Sequence, residues 1–74
     1  MWFIPSKINK VLKVNNTTRE WLRARLDCTR VELKEILNGT RAADYEIAKG
    51  FLEVFGYDFI VEAIDWRKTK YASV

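Results

Sequence analysis

The sequence predicts a mostly α-helical domain of four to five short helices closed by a C-terminal β-strand, with a short N-terminal strand as an optional addition. Three observations predict this. Apolar residues recur at helical spacing in four successive segments. Residues suited to helix N-caps precede those segments, and Asn-Gly or Gly ends two of them. Beyond residue 56 the pattern changes to a run of aromatic and β-branched side chains.

Pro5 and Ser6 mark the first helix, because proline fits a first helical turn and serine suits a cap. Ile8, Val11 and Leu12 then share one face, while Lys7, Lys10 and Lys13 lie on others. Asn15-Asn16-Thr17-Thr18 is a polar break, and Thr18 caps a second helix from about Arg19 to Leu26. Leu22 and Leu26 point inward from it. Asp27 falls where a tight turn is needed. Thr29 caps a third helix, and Thr29-Arg30-Val31-Glu32 has the spacing of a capping box. Leu33, Ile36 and Leu37 give that helix its apolar face, and Asn38-Gly39 stops it. Asp44 caps a fourth helix carrying Tyr45, Ala48, Phe51, Leu52 and Phe55, which Gly56 closes. Gly50 inside this helix costs about 0.5–1 kcal/mol relative to alanine, which implies close packing there.

Residues 57–66 read as a strand, with Phe59, Val61 and Ala63 on one face and Ile60, Ile64 and Trp66 on the other. A short helix is the competing reading. A strand apolar on both faces needs a partner along its edge. The expected partner is the same strand of a second copy, through Phe59, Val61, Ile64 and Trp66. Met1 to Ile4 would add a short strand beside it, with Trp2 and Phe3 covering one face. Residues 1–66 then form one domain, and 67–74 a basic, mobile tail.

Composition excludes several function classes. The chain has no histidine and a single cysteine, Cys28, which removes the common zinc sites, histidine-based catalysis and an internal disulfide. Its two serines, Ser6 and Ser73, lie near the ends with no base in sight. No enzymatic activity, metal or cofactor is expected. No segment approaches the roughly 18–20 consecutive apolar residues of a membrane span. Met1-Trp2-Phe3-Ile4 is too short for a signal peptide, lacks a basic leader and stops at Pro5. The expected location is the cytoplasm of a bacterial cell or phage-infected host, where one unpaired cysteine stays reduced. An apolar content of 49% in 74 residues is rich enough to expect burial against a second copy. Charge is uneven: +3 over residues 1–14, +2 over 15–41, −3 over 42–58 and +1 over 59–74. A basic excess in the first 41 residues points to a polyanionic partner.

Two short helices joined by a tight turn, the second capped by Thr29 and ended by Asn-Gly, form a helix-turn-helix pattern over about residues 18–37. From Ile8 to Tyr57 the sequence resembles, without gaps, the Cro/repressor-like (XRE-type) DNA-binding domains of phages and bacteria. Ile8 and Val11 match the first-helix core of that family. Thr18, Glu20, Leu22 and Leu26 match its second helix, and Thr29, Arg30, Leu33 and Ile36 its recognition helix. Asn38, Gly39 and Arg41 match the following loop, and Glu46, Phe55 and Gly56 the last helix and its stop. Arg23 departs from the family by replacing a small residue between the motif helices, so its head must reach outward along an aliphatic stem. Asp27 replaces the turn glycine, which aspartate tolerates better than most residues. Leu12 and Leu37 together replace an ion pair the family often carries, a swap that is often neutral or stabilising.

The resemblance implies that Arg30, Val31 and Glu35 read base edges, with Glu32 and Lys34 as flanking contacts. Arginine suits guanine, valine meets a thymine methyl, and glutamate accepts from cytosine N4. It also implies phosphate contacts from Thr18, Arg19, Thr29, Asn38, Thr40 and Arg41, which set register and supply affinity. Plainer roles stand beside these. Thr29 caps its helix with or without DNA, Glu32 and Glu35 make a solvated face, Lys34 partners neighbouring acids, and Cys28 packs inside. Two glutamates on a recognition helix also repel phosphate unless they are aimed at bases. The expected function is a dimeric transcriptional regulator, repressor- or Cro-like, bound to double-stranded DNA at a pseudo-palindromic operator. The rival is a helix-turn-helix scaffold that binds another regulatory protein, as an antirepressor, antitoxin-like partner or host-factor inhibitor. Its anchors would be Trp2, Phe3, Trp21 and Trp66.

Overall fold

The computed structural model describes residues 1–72. It is mostly helical: α1 Pro5–Val14, α2 Arg19–Leu26, α3 Arg30–Leu37, α4 Tyr45–Phe55, α5 Tyr57–Ala63 and α6 Trp66–Ala72. Helix α1 packs on α3 and α5, α2 on α3 and α4, and α4 on α5. Their inward faces meet in one core built from Ile8, Leu12, Leu22, Leu33, Ile36, Leu37, Phe51 and Ile60, among others.

The caps explain where the helices begin. Pro5 takes the first helical position of α1, but the N-cap is Ile4 and no side chain caps it. Ser6 therefore lies inside the first turn instead of capping it. Thr18 accepts from the Trp21 amide, Asp44 from the Ile47 amide, and Thr29 with Glu32 forms the reciprocal capping box. Gly50 sits where α2 meets α4, and a Cβ there would collide with Leu26 Cδ2. Within α4 the inward positions are Ile47, Ala48, Phe51 and Phe55. Tyr45, expected on that face, is exposed, because residues three and four apart from Ile47 and Ala48 already define it.

The expected strand at 57–66 is absent: residues 57–63 are α5. Ile60, Ala63 and Ile64 are buried, whereas Phe59 is exposed and Val61 half-buried. Burial thus follows the three-to-four spacing of a helix and not the alternation of a strand. Gly56 makes the short connection: at φ 85° and ψ 159° it closes α4 and opens α5, a conformation nearly confined to glycine. Among the described residues the single β-type contact is an antiparallel bridge between Phe3 and Ile64. Met1 to Ile4 does run beside the end of the 57–66 stretch, as one bridge and not as a strand.

That bridge carries more than its size implies. Ile4 N–H donates to Ala63 O at 2.8 Å, Asp65 N–H to Trp2 O at 2.8 Å, and Ala43 N–H to Met1 O at 2.7 Å. The four leading residues therefore tie the α3–α4 loop to the α5–α6 junction. Phe3 is 1% exposed, and its ring centroid lies 5.0 Å from that of Phe51. The stretch expected as a tail also has structure. Asp65 Oδ1 accepts from the Lys68 amide and opens α6, while Thr69 Oγ1 accepts from the Trp2 amide. The last two tail positions, Ser73 and Val74, lie outside the described residues.

Phe3→Ala should destabilise the chain by about 3–5 kcal/mol, as expected for emptying an aromatic core site. Trp66→Ala, at a residue 56% exposed, should cost far less. Urea titrations of both variants check this; equal losses would show that Phe3 is not a core residue.

Candidate nucleic-acid interface

Helices α2 and α3 are joined by a turn of three residues. Asp27 adopts the left-handed conformation (φ 54°, ψ 48°), Cys28 buries its side chain, and Thr29 caps α3. Arg23 sits at the α2–α3 contact and sends its guanidinium to Glu20, 3.3 Å away.

The outer surface of α3 carries the residues expected to read bases, in different states of engagement. Val31 is 63% exposed and Lys34 is exposed. Lys34 joins no ion pair among the described residues. Glu32 is committed to the capping box, where its Oε1 accepts from the Thr29 amide. Arg30 extends to Glu20 on α2, with Nε 2.7 Å from Oε1. Glu35 faces Arg41 of the following loop at 3.1 Å. An expected base reader and an expected phosphate contact thus meet each other.

Thr18 and Arg19 lie exposed at the start of α2. Arg19 Nη2 is 3.5 Å from Asn9 Oδ1, and Asn9 Nδ2 donates to the carbonyls of Pro5 and Leu37. Asn38 is the exposed C-cap of α3. Thr40 is drawn back onto α3, since its hydroxyl and amide both donate to the Glu35 carbonyl. Gly39 turns the loop at φ 78°, and a Cβ there would come within 2.9 Å of Pro5 Cγ. The loop therefore lies directly on the start of α1.

The ion pairs that cross this face are solvent-exposed. Such pairs contribute at most about 1 kcal/mol, so a phosphate oxygen or a guanine edge can take the place of either carboxylate. Three residues with contacts here were not singled out for a role: Glu20, Asn9 and Lys68, whose ammonium lies 3.2 Å from the Gly39 carbonyl. Nothing local in the sequence pairs Glu20 with Arg30, since the contact depends on how α2 crosses α3. Lys68 had a local signal, Asp65 three residues ahead of it as a cap, which was masked by the strand reading of 57–66.

The anchors of the protein-binding alternative are dispersed. Phe3 is buried in the core, which removes it from any surface. Trp2 lies under Lys68, and Trp21 borders a shallow groove with Val54 and Phe55. No helix among the described residues is long and apolar enough to cross a membrane. No family model matches the chain, and no curated protein or solved structure matches it either.

Burial pushes the Cys28 thiol up from its ordinary range, and the nearby Glu32 carboxylate adds to the effect. The folded state thus favours the neutral thiol. Its stabilising contribution is complete below the pKa of the unfolded thiol and is lost as pH rises through the folded one. Native Cys28 should react with a thiol reagent more slowly than the urea-unfolded chain at the same mildly alkaline pH. Equal rates would contradict the buried turn.

Proposed function

We propose that the chain is a DNA-binding transcriptional regulator of the Cro/repressor type, dimeric on an approximately palindromic operator. The observation that carries this reading is the outward face of α3: Arg30, Val31 and Lys34 are exposed on a well-capped helix, with Thr18 and Arg19 exposed at the start of α2 and Asn38, Thr40 and Arg41 exposed in the loop after α3. Base edges are read from such a helix, and flanking hydroxyls, amides and cations hold phosphates. Action is by occupancy of the operator, with no catalysis, metal or cofactor, in the cytoplasm of a bacterial cell or phage-infected host.

The dimer cannot use strand pairing, because 57–63 is helical and Ile64 is 5% exposed in its own core. Phe59 and Trp66 remain exposed. Phe59 borders a groove between α1 and α5 with Val14, Lys7, Lys10 and Glu62. Both charge signs on one apolar patch suit a two-fold contact, in which lysines of one copy face the glutamate of the other. Two recognition helices set about 34 Å apart by such symmetry would read an approximately palindromic site.

The protein-binding alternative draws support from the Arg30–Glu20 and Glu35–Arg41 pairs, which leave α3 with little free charge, and from exposed Trp21. Selection of bound sequences from random duplexes at two salt concentrations separates the two readings. Arg30→Ala should cost about 1–3 kcal/mol on the selected site and relax preference at one position. Arg41→Ala should weaken all sequences alike and lower the salt slope by about one. Parental binding by both variants would end the DNA reading. Light scattering should give a dimer mass at micromolar concentration and a monomer for Phe59→Ser. A parent that is monomeric with and without DNA would remove the dimer from this account.

A further inference from the structure

We infer that Lys68, on the C-terminal helix, is a phosphate-binding residue of the same DNA interface and extends it beyond the helix-turn-helix. This rests on the DNA-binding reading above. Lys68 is 29 residues from Gly39 in sequence, yet its ammonium lies 3.2 Å from the Gly39 carbonyl. That carbonyl belongs to the loop of Asn38, Thr40 and Arg41, which the interface uses for phosphate contacts. The same ammonium sits 4.7 Å from the centroid of the Trp2 ring, a cation–π contact that fixes its second side. Helix α6 is held in place independently: Asp65 N–H donates to Trp2 O, the Trp2 amide donates to Thr69 Oγ1, and Asp65 caps the helix.

Three features favour a bound polyanion over a simple staple. Lysine has three donors, and one carbonyl takes only one of them. Among the described residues no carboxylate pairs with Lys68, whereas Arg41 in the adjoining loop faces Glu35 and Arg30 faces Glu20. The side chain remains exposed although its head is anchored at two points, so the ordering of a long flexible cation is settled before a ligand arrives. A charge that is fixed, unneutralised and open to solvent beside a loop that also exposes the Asn38 amide side chain matches one non-bridging phosphate oxygen.

The test uses the full chain with two probes, a selected operator duplex and a random duplex of equal length, titrated at several salt concentrations. Lys68→Met keeps the aliphatic stem over Trp2 and removes the charge, while Lys68→Arg keeps the charge. Lys68→Met should lower the salt slope by about one on both duplexes. Its affinity should therefore fall about three-fold less than the parent's between roughly 50 and 200 mM salt. Its thermal midpoint should match the parent's, and Lys68→Arg should bind as the parent does. If Lys68→Met keeps the parental slope while Arg41→Ala loses it, the assignment of Lys68 falls and the DNA reading stands. A slope lost only together with a lowered melting temperature, and not rescued by Lys68→Arg, would make Lys68 a staple and overturn the proposal. No saturable binding of either duplex by the parent would overturn both.

Discussion

The fold depends on how the first four residues are held. Six short helices, several of only seven or eight residues, have little stability in isolation and rely on packing of their apolar faces. Phe3 fills the middle of that packing against Phe51, and the backbone on either side of it bonds to Ala63 and Asp65. Because Met1 also pairs with Ala43, one extended segment sets the position of α1, the loop after α3 and the junction of α5 with α6. The loop that follows α3 is thereby held at Ala43 by a segment that begins the chain.

The surface of the helix-turn-helix pair is governed by a different balance. Its caps use Thr18, Thr29 and Glu32 for backbone amides, so these polar groups have structural duties before any ligand is bound. Arg30 and Glu35 are held by partners of opposite sign on α2 and on the loop. Exchanging such exposed partners costs little, whereas the caps are retained. The division leaves Val31 and Lys34 as exposed α3 positions without an ion pair among the described residues.

Much of this was legible in the sequence, and the misses have physical causes. Helices α1 to α4 could be read because their apolar residues keep a three-to-four spacing and because Thr18, Thr29, Asp44 and Gly56 carry distinct terminal chemistry. Helix α5 was misread because Phe59, Ile60 and Val61 favour strands locally. Burial of Ile60, Ala63 and Ile64 against α1 and α4 overrides that preference. At the site, the capping box of Thr29 and Glu32 followed from spacing alone, whereas the outward placement of Arg30 came from the family resemblance. The engagement of Arg30 by Glu20 and the approach of Lys68 to Gly39 did not, since each needs two elements already packed.

The clamp also orders events in time. Its bonds join residues 2–4 to residues 63–69, nearly the full span of the described chain. Closing so long a loop carries an entropic cost that local helix formation does not. On a ribosome the helix-turn-helix segment emerges well before α5 and α6. Until α5 and α6 have emerged, the segment around Phe3 lacks its backbone partners and the Gly39 carbonyl lacks Lys68. Packing of the N-terminal segment therefore waits for α5 and α6, and a nascent chain halted after α4 would hold α2 and α3 without that support.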